Sequence, residues 1–138
     1  MDRSRAHDLA GQERADDVRT LLVDDSPAFL DVATDVVAAT PGFSAVGAVT
    51  SPSRALELLV SERPELALVD VNMPEMDGIE LTRRMKVLRP ETAVALISGD
   101  APDQLPPGAH TCGADLILDK RKFGPRRLRE IGQGINPH

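Results

Sequence analysis

Residues 66–78 read LALVDVNMPEMDG, and this stretch decides which fold the chain adopts. It opens with an apolar run that leads directly into a carboxylate, Asp70. A short, continuous apolar run is typical of a strand buried on both faces of a parallel sheet. Asp77-Gly78 then precedes apolar residues at helical spacing. The stretch predicts a strand, a turn and a helix, with Asp70 at the carboxyl end of the strand, where it can act as a nucleophile or a metal ligand.

Apolar strand-like runs alternate with helical patterns on both sides of this stretch. We predict strands over residues 20–23, 43–49, 65–70, 92–97 and 115–118, and helices over residues 27–40, 51–63, 78–89 and 126–132. The inward stripe of the first helix is predicted to contain Phe29, Val32, Ala33, Val36 and Val37. Between the fourth and fifth strands, Pro106-Pro107 removes backbone donors, so any helix there is expected to be short or irregular. The alternation predicts an α/β fold whose parallel sheet is covered on both faces.

Length and composition limit the class of protein. The 138 residues, 41% of them hydrophobic, predict one domain with a sizeable core. Its single cysteine, Cys112, cannot form an intrachain disulfide, and no run approaches the roughly 18 apolar residues of a membrane span. The chain start lacks the apolar core of a secretory signal, so we expect a cytoplasmic protein with no membrane partner.

The net charge of −6 is unevenly distributed, because basic residues concentrate in residues 120–130. A basic segment can indicate a nucleic-acid partner. The whole chain, however, has three Phe and neither Tyr nor Trp. We therefore expect a solvated helix face and no direct nucleic-acid binding.

Polar residues follow four of the predicted strands. Asp24-Asp25 follows the first strand, Asp70 the third, Ser98 the fourth and Asp119-Lys120 the fifth. Each group alone is an ordinary turn or loop residue. Ligands of open parallel sheets, however, bind beyond the carboxyl ends of the strands. Together these groups predict one site that contains carboxylates, a hydroxyl and an ammonium group.

The charges of this site indicate what it holds. Asp24, Asp25 and Asp70 would repel one another unless a cation lies among them, and oxygen ligands with open water positions suit Mg²⁺. A carboxylate beside that metal can attack a phosphoryl group and form an acyl phosphate. Lys120 and the Ser98 hydroxyl would then stabilise the charge on the phosphoryl oxygens. Each residue type therefore has a role in phosphoryl transfer.

The chain resembles the receiver domains of bacterial two-component response regulators. The resemblance rests on Asp24-Asp25, the segment from Asp70 through Met73-Pro74 to Asp77-Gly78, Ser98 and Lys120. It covers residues 18–133, with a flexible leader expected at 1–17 and a short tail at 134–138. It implies a flavodoxin-like, doubly wound, five-stranded parallel sheet in the order 2-1-3-4-5.

The resemblance also implies a role for each matching residue. Asp70 would accept phosphate from a phosphohistidine of a sensor histidine kinase or histidine phosphotransfer protein. Asp25 would bind Mg²⁺ directly, Asp24 would hold a metal-bound water, and the backbone carbonyl of Asn72 would complete the protein ligands together with Asp70. Gly99, which has no side chain, would keep the approach to the phosphoryl group open. Asp100 is expected to affect the lifetime of the phosphoryl group, with simple loop solvation as the alternative.

Three features depart from the family pattern. Members commonly have an aromatic switch residue three positions before the lysine, where this chain has Ile117. A proline usually follows the lysine, where this chain has Arg121. The helix between the fourth and fifth strands is the one that Pro106-Pro107 disrupts. Because all three lie on the surface that usually transmits the signal, we expect an atypical output surface.

Two other functions stay open. A metal-dependent phosphohydrolase typically needs a second Asp two residues after its nucleophile, where this chain has Asn72. A phosphorylation-independent interaction module with the receiver fold predicts that acidic or lysine residues are missing, and none is. We expect a signalling domain, not an enzyme apart from slow autodephosphorylation. It would act on an unidentified downstream protein, either as a stand-alone regulator or as part of a longer chain.

Overall fold

Five strands form one parallel sheet in the order β2-β1-β3-β4-β5. The structure is a computed structural model, and it describes residues 17–100 and 104–135. Nearly all of the predicted leader and the last residues of the predicted tail lie outside the described residues. The strands are β1 (Val18–Val23), β2 (Phe43–Val49), β3 (Leu66–Asp70), β4 (Ala93–Ser98) and β5 (Leu116–Asp119). The predicted fold class and strand order are therefore confirmed.

Four α-helices cover the sheet within the described part of the chain: α1 (Pro27–Ala39), α2 (Pro52–Glu62), α3 (Gly78–Leu88) and α4 (Pro125–Ile135). The first three begin at side-chain caps. Ser26 and Ser51 each accept a backbone N–H of the first turn through Oγ, and Asp77 does so through Oδ1. Such caps satisfy donors that the helix itself leaves unpaired. The polar residues before each helix therefore fix where it starts.

Two hydrophobic clusters hold the helices to opposite faces of the sheet. On one face, α1 and α4 pack through Leu30, Ala33 and Leu128. On the other face, α2 and α3 pack through Leu59 and Met85. The central strand β3 is buried along its whole length, which explains why its sequence is a continuous apolar run.

The inward face of α1 differs from the predicted stripe. Val32 was predicted to face inward, but it is 57% exposed, whereas Leu30 is buried together with Ala33 and Val37. Both sets of residues have helical spacing, so periodicity alone could not separate them. The helix buries Leu30, Ala33 and Val37 against the sheet. Phe29 lies at the margin of this buried face and is partly exposed.

The last helix is longer than predicted, because α4 continues to Ile135 and does not end at Gly132. Gly132 is buried against Phe43, and a Cβ added there would lie 2.5 Å from the ring atom Cζ. This glycine therefore allows a close helix-to-strand contact inside the helix and is not a stop signal.

The segment between β4 and β5 contains turns and no α-helix among its described residues, 104–115. Gly108 and Gly113 have φ of +91° and +99°, which favours glycine. Ala109 and Cys112 are buried and cover this part of the sheet. The expectation of a short or irregular helix here is confirmed.

Candidate functional site

The predicted polar residues meet at the carboxyl edge of the sheet. The parallel register pairs Val23 with Val69, Asp70 with Ile97, and Ser98 with Asp119, so the carboxyl ends of β1, β3, β4 and β5 lie side by side. Ser98 is the last residue of β4, one residue beyond the predicted end of that strand. Sheet geometry thus places the polar groups of four strands along one edge.

Three carboxylates form a cluster at this edge. Asp24, Asp25 and Asp70 each offer an oxygen, and these atoms lie within 4.8 Å of one another. Asp24 and Asp70 are only 1% and 6% exposed, whereas Asp25 is exposed to solvent. The cluster is therefore open on the side of Asp25 and closed on the side of the sheet.

Asp24 is held by groups on both sides. Its Oδ1 accepts the backbone N–H of Ser26 at 2.8 Å, and Lys120 Nζ lies 2.7 Å from its Oδ2 as an ion pair. Within the described residues, the ammonium of Lys120 is the contact recorded for the buried Oδ2. A cation that binds this oxygen would therefore compete with Lys120 for it.

Burial raises the pKa of Asp70 from 3.8 to about 7, and the charge of Asp24 adds to the increase. The charge of Lys120 opposes it, whereas a hydrogen bond between the Asp70 and Asp25 carboxyl groups, which requires a proton, raises the pKa further. The backbone N–H of Asn72 donates to Asp70 Oδ1 at 3.4 Å and lowers the pKa slightly. Without a cation, Asp70 is therefore half protonated near neutral pH.

The donor set fits Mg²⁺. Three carboxylates this close repel one another unless a proton or a cation lies among them, and hard oxygen ligands with a solvent-open side suit Mg²⁺. The raised pKa of Asp70 beside the buried Asp24 carboxylate is what a site lacking its positive charge would show. Asp24, Asp25 and Asp70 are the side chains that could hold the ion.

Ser98 and Asp100 border the cluster. Ser98 is 2% exposed, and its Oγ accepts the backbone N–H of Asp100 at 3.0 Å. The exposed Asp100 carboxylate accepts a hydrogen bond from the Asn72 side-chain amide at 3.2 Å. A Cβ added at Gly99 would meet no atom within 4 Å, so the loop is open there. The loop after β4 and the loop after β3 are therefore joined at the rim of the site.

Lys120 begins a short 3₁₀ turn, Lys120–Lys122, that follows β5. Asp119 caps this turn by accepting the backbone N–H of Arg121 at 2.9 Å. The Arg121 guanidinium also donates to both Asp119 oxygens at 3.0 Å, and these contacts lower the pKa of Asp119. Arg121, which stands where the resemblance implies a proline, thus helps to define the turn that carries Lys120.

Ile117, the expected switch position, lies on β5 and is partly buried. It packs against the cluster under α2 and α3, together with Leu105 and Ala114 from the irregular segment. Its aliphatic side chain and side chains of the segment between β4 and β5 therefore border the same core cluster.

Phe29 belongs to the site, although it was assigned only to the core stripe. Lys120 Nζ lies 4.4 Å from the centre of the Phe29 ring. The ring of Phe123 is 6.1 Å from that of Phe29, centroid to centroid. The only signal in the sequence is that two of the three Phe lie close in the chain to Asp25 and Lys120.

Known proteins similar to this chain were found by sequence and by structure. Residues 20–132 match the family model for the response regulator receiver domain. The chain is similar to protein-glutamate methylesterase/protein-glutamine glutaminase 5 of Anaeromyxobacter dehalogenans, at 33% identity over 82% of this chain and 32% of that protein. It thus spans about a third of the length of that relative, so the likeness concerns only the matched part.

Solved structures of receiver domains have the same fold as this chain. The signal receiver domain of NarL from Mycobacterium tuberculosis superposes with a TM-score of 0.79 at 25% identity, over 89% of this chain and 99% of that chain. A CheY-like response regulator receiver domain protein from Methanospirillum hungatei gives a TM-score of 0.76 at 27% identity, over 88% and 95% of the two chains. Among the described residues, the helices are too short or too polar to cross a bilayer.

Proposed function

Because this chain belongs to the family of response regulator receiver domains, we propose that Asp70 accepts a phosphoryl group in the presence of Mg²⁺. The donor would be a phosphohistidine of a sensor histidine kinase or of a histidine phosphotransfer protein. One observation carries the proposal: two buried carboxylates and one exposed carboxylate lie within 4.8 Å of one another, beside Lys120. Asp70 would be the nucleophile, and Asp24 and Asp25 would hold the ion with it.

The reaction requires an ionised Asp70. One carboxylate oxygen of Asp70 attacks phosphorus, the bond from phosphorus to the donor nitrogen breaks, and the electron pair stays on the donor imidazole. In the metal-free site the pKa of Asp70 is about 7, so a large fraction of the carboxyl is neutral at physiological pH. A bound Mg²⁺ supplies positive charge that favours the ionised form and offsets the charge of the phosphoryl oxygens.

Two further side chains would stabilise the transferred group. The Ser98 hydroxyl lies at the end of β4, beside β3, and can donate a hydrogen bond to a phosphoryl oxygen. The ammonium of Lys120 would move from Asp24 towards the new negative charge. The backbone carbonyl of Asn72 and the open loop at Gly99 would complete the ion site and its approach.

Asp100 would affect the lifetime of the phosphoryl group. Its backbone N–H holds Ser98 Oγ, and its carboxylate holds the side-chain amide of Asn72. A carboxylate at this rim could orient a water for attack on the phosphoryl group. Replacement of Asp100 by Ala should therefore change the half-life of the phosphoryl group, and an unchanged half-life would leave Asp100 as a solvated loop residue only.

The signal would be transmitted through altered contacts with a downstream protein, on a surface that differs from the usual one. Ile117 replaces the aromatic switch, Arg121 replaces the proline, and turns replace the helix before β5 among residues 104–115. Phosphorylation shifts a conformational equilibrium only through contacts that differ between its two states. Amide chemical shifts with and without beryllofluoride test this, because large changes confined to residues 104–115, β5 and α4 would refute an atypical output.

The main proposal is tested by incubating the protein with acetyl phosphate and Mg²⁺ and measuring its intact mass. We expect a gain of one phosphoryl group that is absent in Asp70→Asn and absent in wild type when a chelator removes the ion. Asp35→Asn, which makes the same chemical change on an exposed face of α1, should be modified like wild type. No gain in wild type would refute the proposal and favour a phosphorylation-independent interaction module.

A further inference from the structure

The ring of Phe29 lies beside the ammonium group of Lys120, and the ring of Phe123 lies beside that of Phe29. Lys120 Nζ is 4.4 Å from the centre of the Phe29 ring, and the rings of Phe29 and Phe123 are 6.1 Å apart at an interplanar angle of 53°. A cation within about 6 Å of a ring centroid is attracted by the negative face of the ring. Lys120 therefore has two partners, the Asp24 carboxylate and an aromatic face.

The backbone connects Phe29 to the acidic side of the site. Its N–H donates to Ser26 Oγ at 3.2 Å, and the N–H of Ser26 donates to Asp24 Oδ1 at 2.8 Å. The helix cap that orients Asp24 therefore also fixes the start of the turn from which the ring projects. Movement of one group relative to the other would break this short chain of hydrogen bonds.

Phe123 is connected to the basic side of the site in a similar way. It follows the 3₁₀ turn, and its N–H donates to the carbonyl of Lys120 at 3.4 Å. Its ring also packs against the core cluster under α1 and α4. The two rings therefore come from two sides of the site: the backbone of Phe29 is connected to Asp24, and the backbone of Phe123 is connected to Lys120.

We propose that Phe29, supported by Phe123, is a positioning residue for Lys120 in phosphoryl transfer. This inference rests on the proposed function. A cation bound at Asp24 competes for the carboxylate that Lys120 contacts, so the ammonium must find other partners while it stays within reach of Asp70. The ring supplies such a partner without adding a negative charge, and the side chain of Lys120 is only 23% exposed.

A flexible lysine without this ring would sample many rotamers, and fewer of them would point at the phosphoryl group. The ring contact is therefore worth most when Asp24 is engaged by the metal ion. A cation–π contact of this kind corresponds to about a two- to five-fold change in an equilibrium or a rate. Loss of the ring should slow phosphoryl transfer by that factor and leave the fold intact.

The test compares Phe29→Leu, Phe29→Tyr and Phe43→Leu with wild type. Phe43→Leu is the matched control, because it removes a ring from β2 that packs against Gly132 and not against Lys120. The first readout is the NMR shift of the Lys120 ε-methylene protons in the metal-free protein. We expect an upfield ring-current shift that Phe29→Leu abolishes, Phe29→Tyr keeps and Phe43→Leu leaves unchanged.

The second readout is the rate of modification by acetyl phosphate at saturating Mg²⁺. We expect Phe29→Leu to be about two- to five-fold slower than Phe43→Leu, and Phe29→Tyr to match wild type. An unchanged Lys120 shift in Phe29→Leu, or equal rates for the two Leu variants, would overturn the inference. If wild type takes up no phosphoryl group, the proposed function fails and positioning for transfer fails with it. The Lys120 shift then still shows whether the ring contact exists.

Discussion

Replacement of Asp70 by Asn should stabilise the metal-free protein at neutral and alkaline pH. The oxygens of Asp24, Asp25 and Asp70 lie within 4.8 Å of one another. Two unit charges at this separation repel by about 3.5 kcal/mol at an effective dielectric constant of ~20 and by about 0.9 kcal/mol in water. Lys120 offsets part of the charge of Asp24. Burial adds to this repulsion, and a rise of the pKa from 3.8 to about 7 corresponds to roughly 4 kcal/mol in all. We therefore expect Asp70→Asn to raise the free energy of unfolding by about 2 to 4 kcal/mol.

The effect depends on pH with a defined sign. The pKa of Asp70 is raised from 3.8 to about 7 in the folded protein, so between these values the folded state binds more protons than the unfolded state. The stability of wild type therefore falls as the pH rises through this window. Asn does not titrate, so the advantage of Asp70→Asn should be complete above pH 7 and should disappear as the pH falls towards 4.

Urea denaturation in the presence of a chelator measures this difference. The free energy of unfolding of wild type and Asp70→Asn is compared at several values between pH 4 and pH 8, with Asp35→Asn on the exposed face of α1 as the control for the same chemical change. We expect the advantage to grow with pH for Asp70→Asn only. An advantage that is absent at alkaline pH, or equal at all pH values, would refute the assignment of repulsion and burial to this site.

Three further results are expected. In Gly78→Ala, a Cβ would overlap the Asp70 carbonyl oxygen, so the free energy of unfolding measured in urea should fall by about 3 kcal/mol. An unchanged free energy of unfolding would contradict this. In Gly132→Ala, a Cβ would lie 2.5 Å from Phe43 Cζ, so stability should fall by about 1 to 3 kcal/mol. Adding Phe43→Leu should recover part of that loss in a double-mutant cycle, whereas additive losses would show that the two sites are not in contact. Asp25→Asn should weaken Mg²⁺ binding by roughly tenfold in calorimetry, and equal affinity would exclude Asp25 as a ligand.

Local patterns were sufficient to predict the sheet and the polar groups at its carboxyl edge. A strand buried on both faces must be apolar along its length, as β3 is, so the run before Asp70 was readily recognised. Parallel strands also place their carboxyl ends at one edge, so Asp24, Asp70 and Ser98 could be placed in one site without knowledge of distances.

Contacts between residues distant in the chain were the part that could not be predicted. The continuation of α4 through Gly132 depends on Phe43, which lies on a different element. The choice of Leu30 over Val32 for the core depends on how α1 is rotated against the sheet, and both residues fit helical spacing. The contact of Lys120 with Phe29 joins opposite ends of the chain, and no periodicity reports it.

The position of β5 has a consequence for how long the site stays assembled. Within the described part of the chain, this four-residue strand pairs with β4 alone and is the shorter of the two edge strands of the sheet. Edge elements with few bonds open most readily in local unfolding, and hydrogen exchange detects such openings. Each opening of β5 would carry Lys120 away and leave the three acids in place, two in the loop after β1 and one at the end of β3. A partner that covers the outer edge of β5 would therefore also control how continuously the lysine faces the acids.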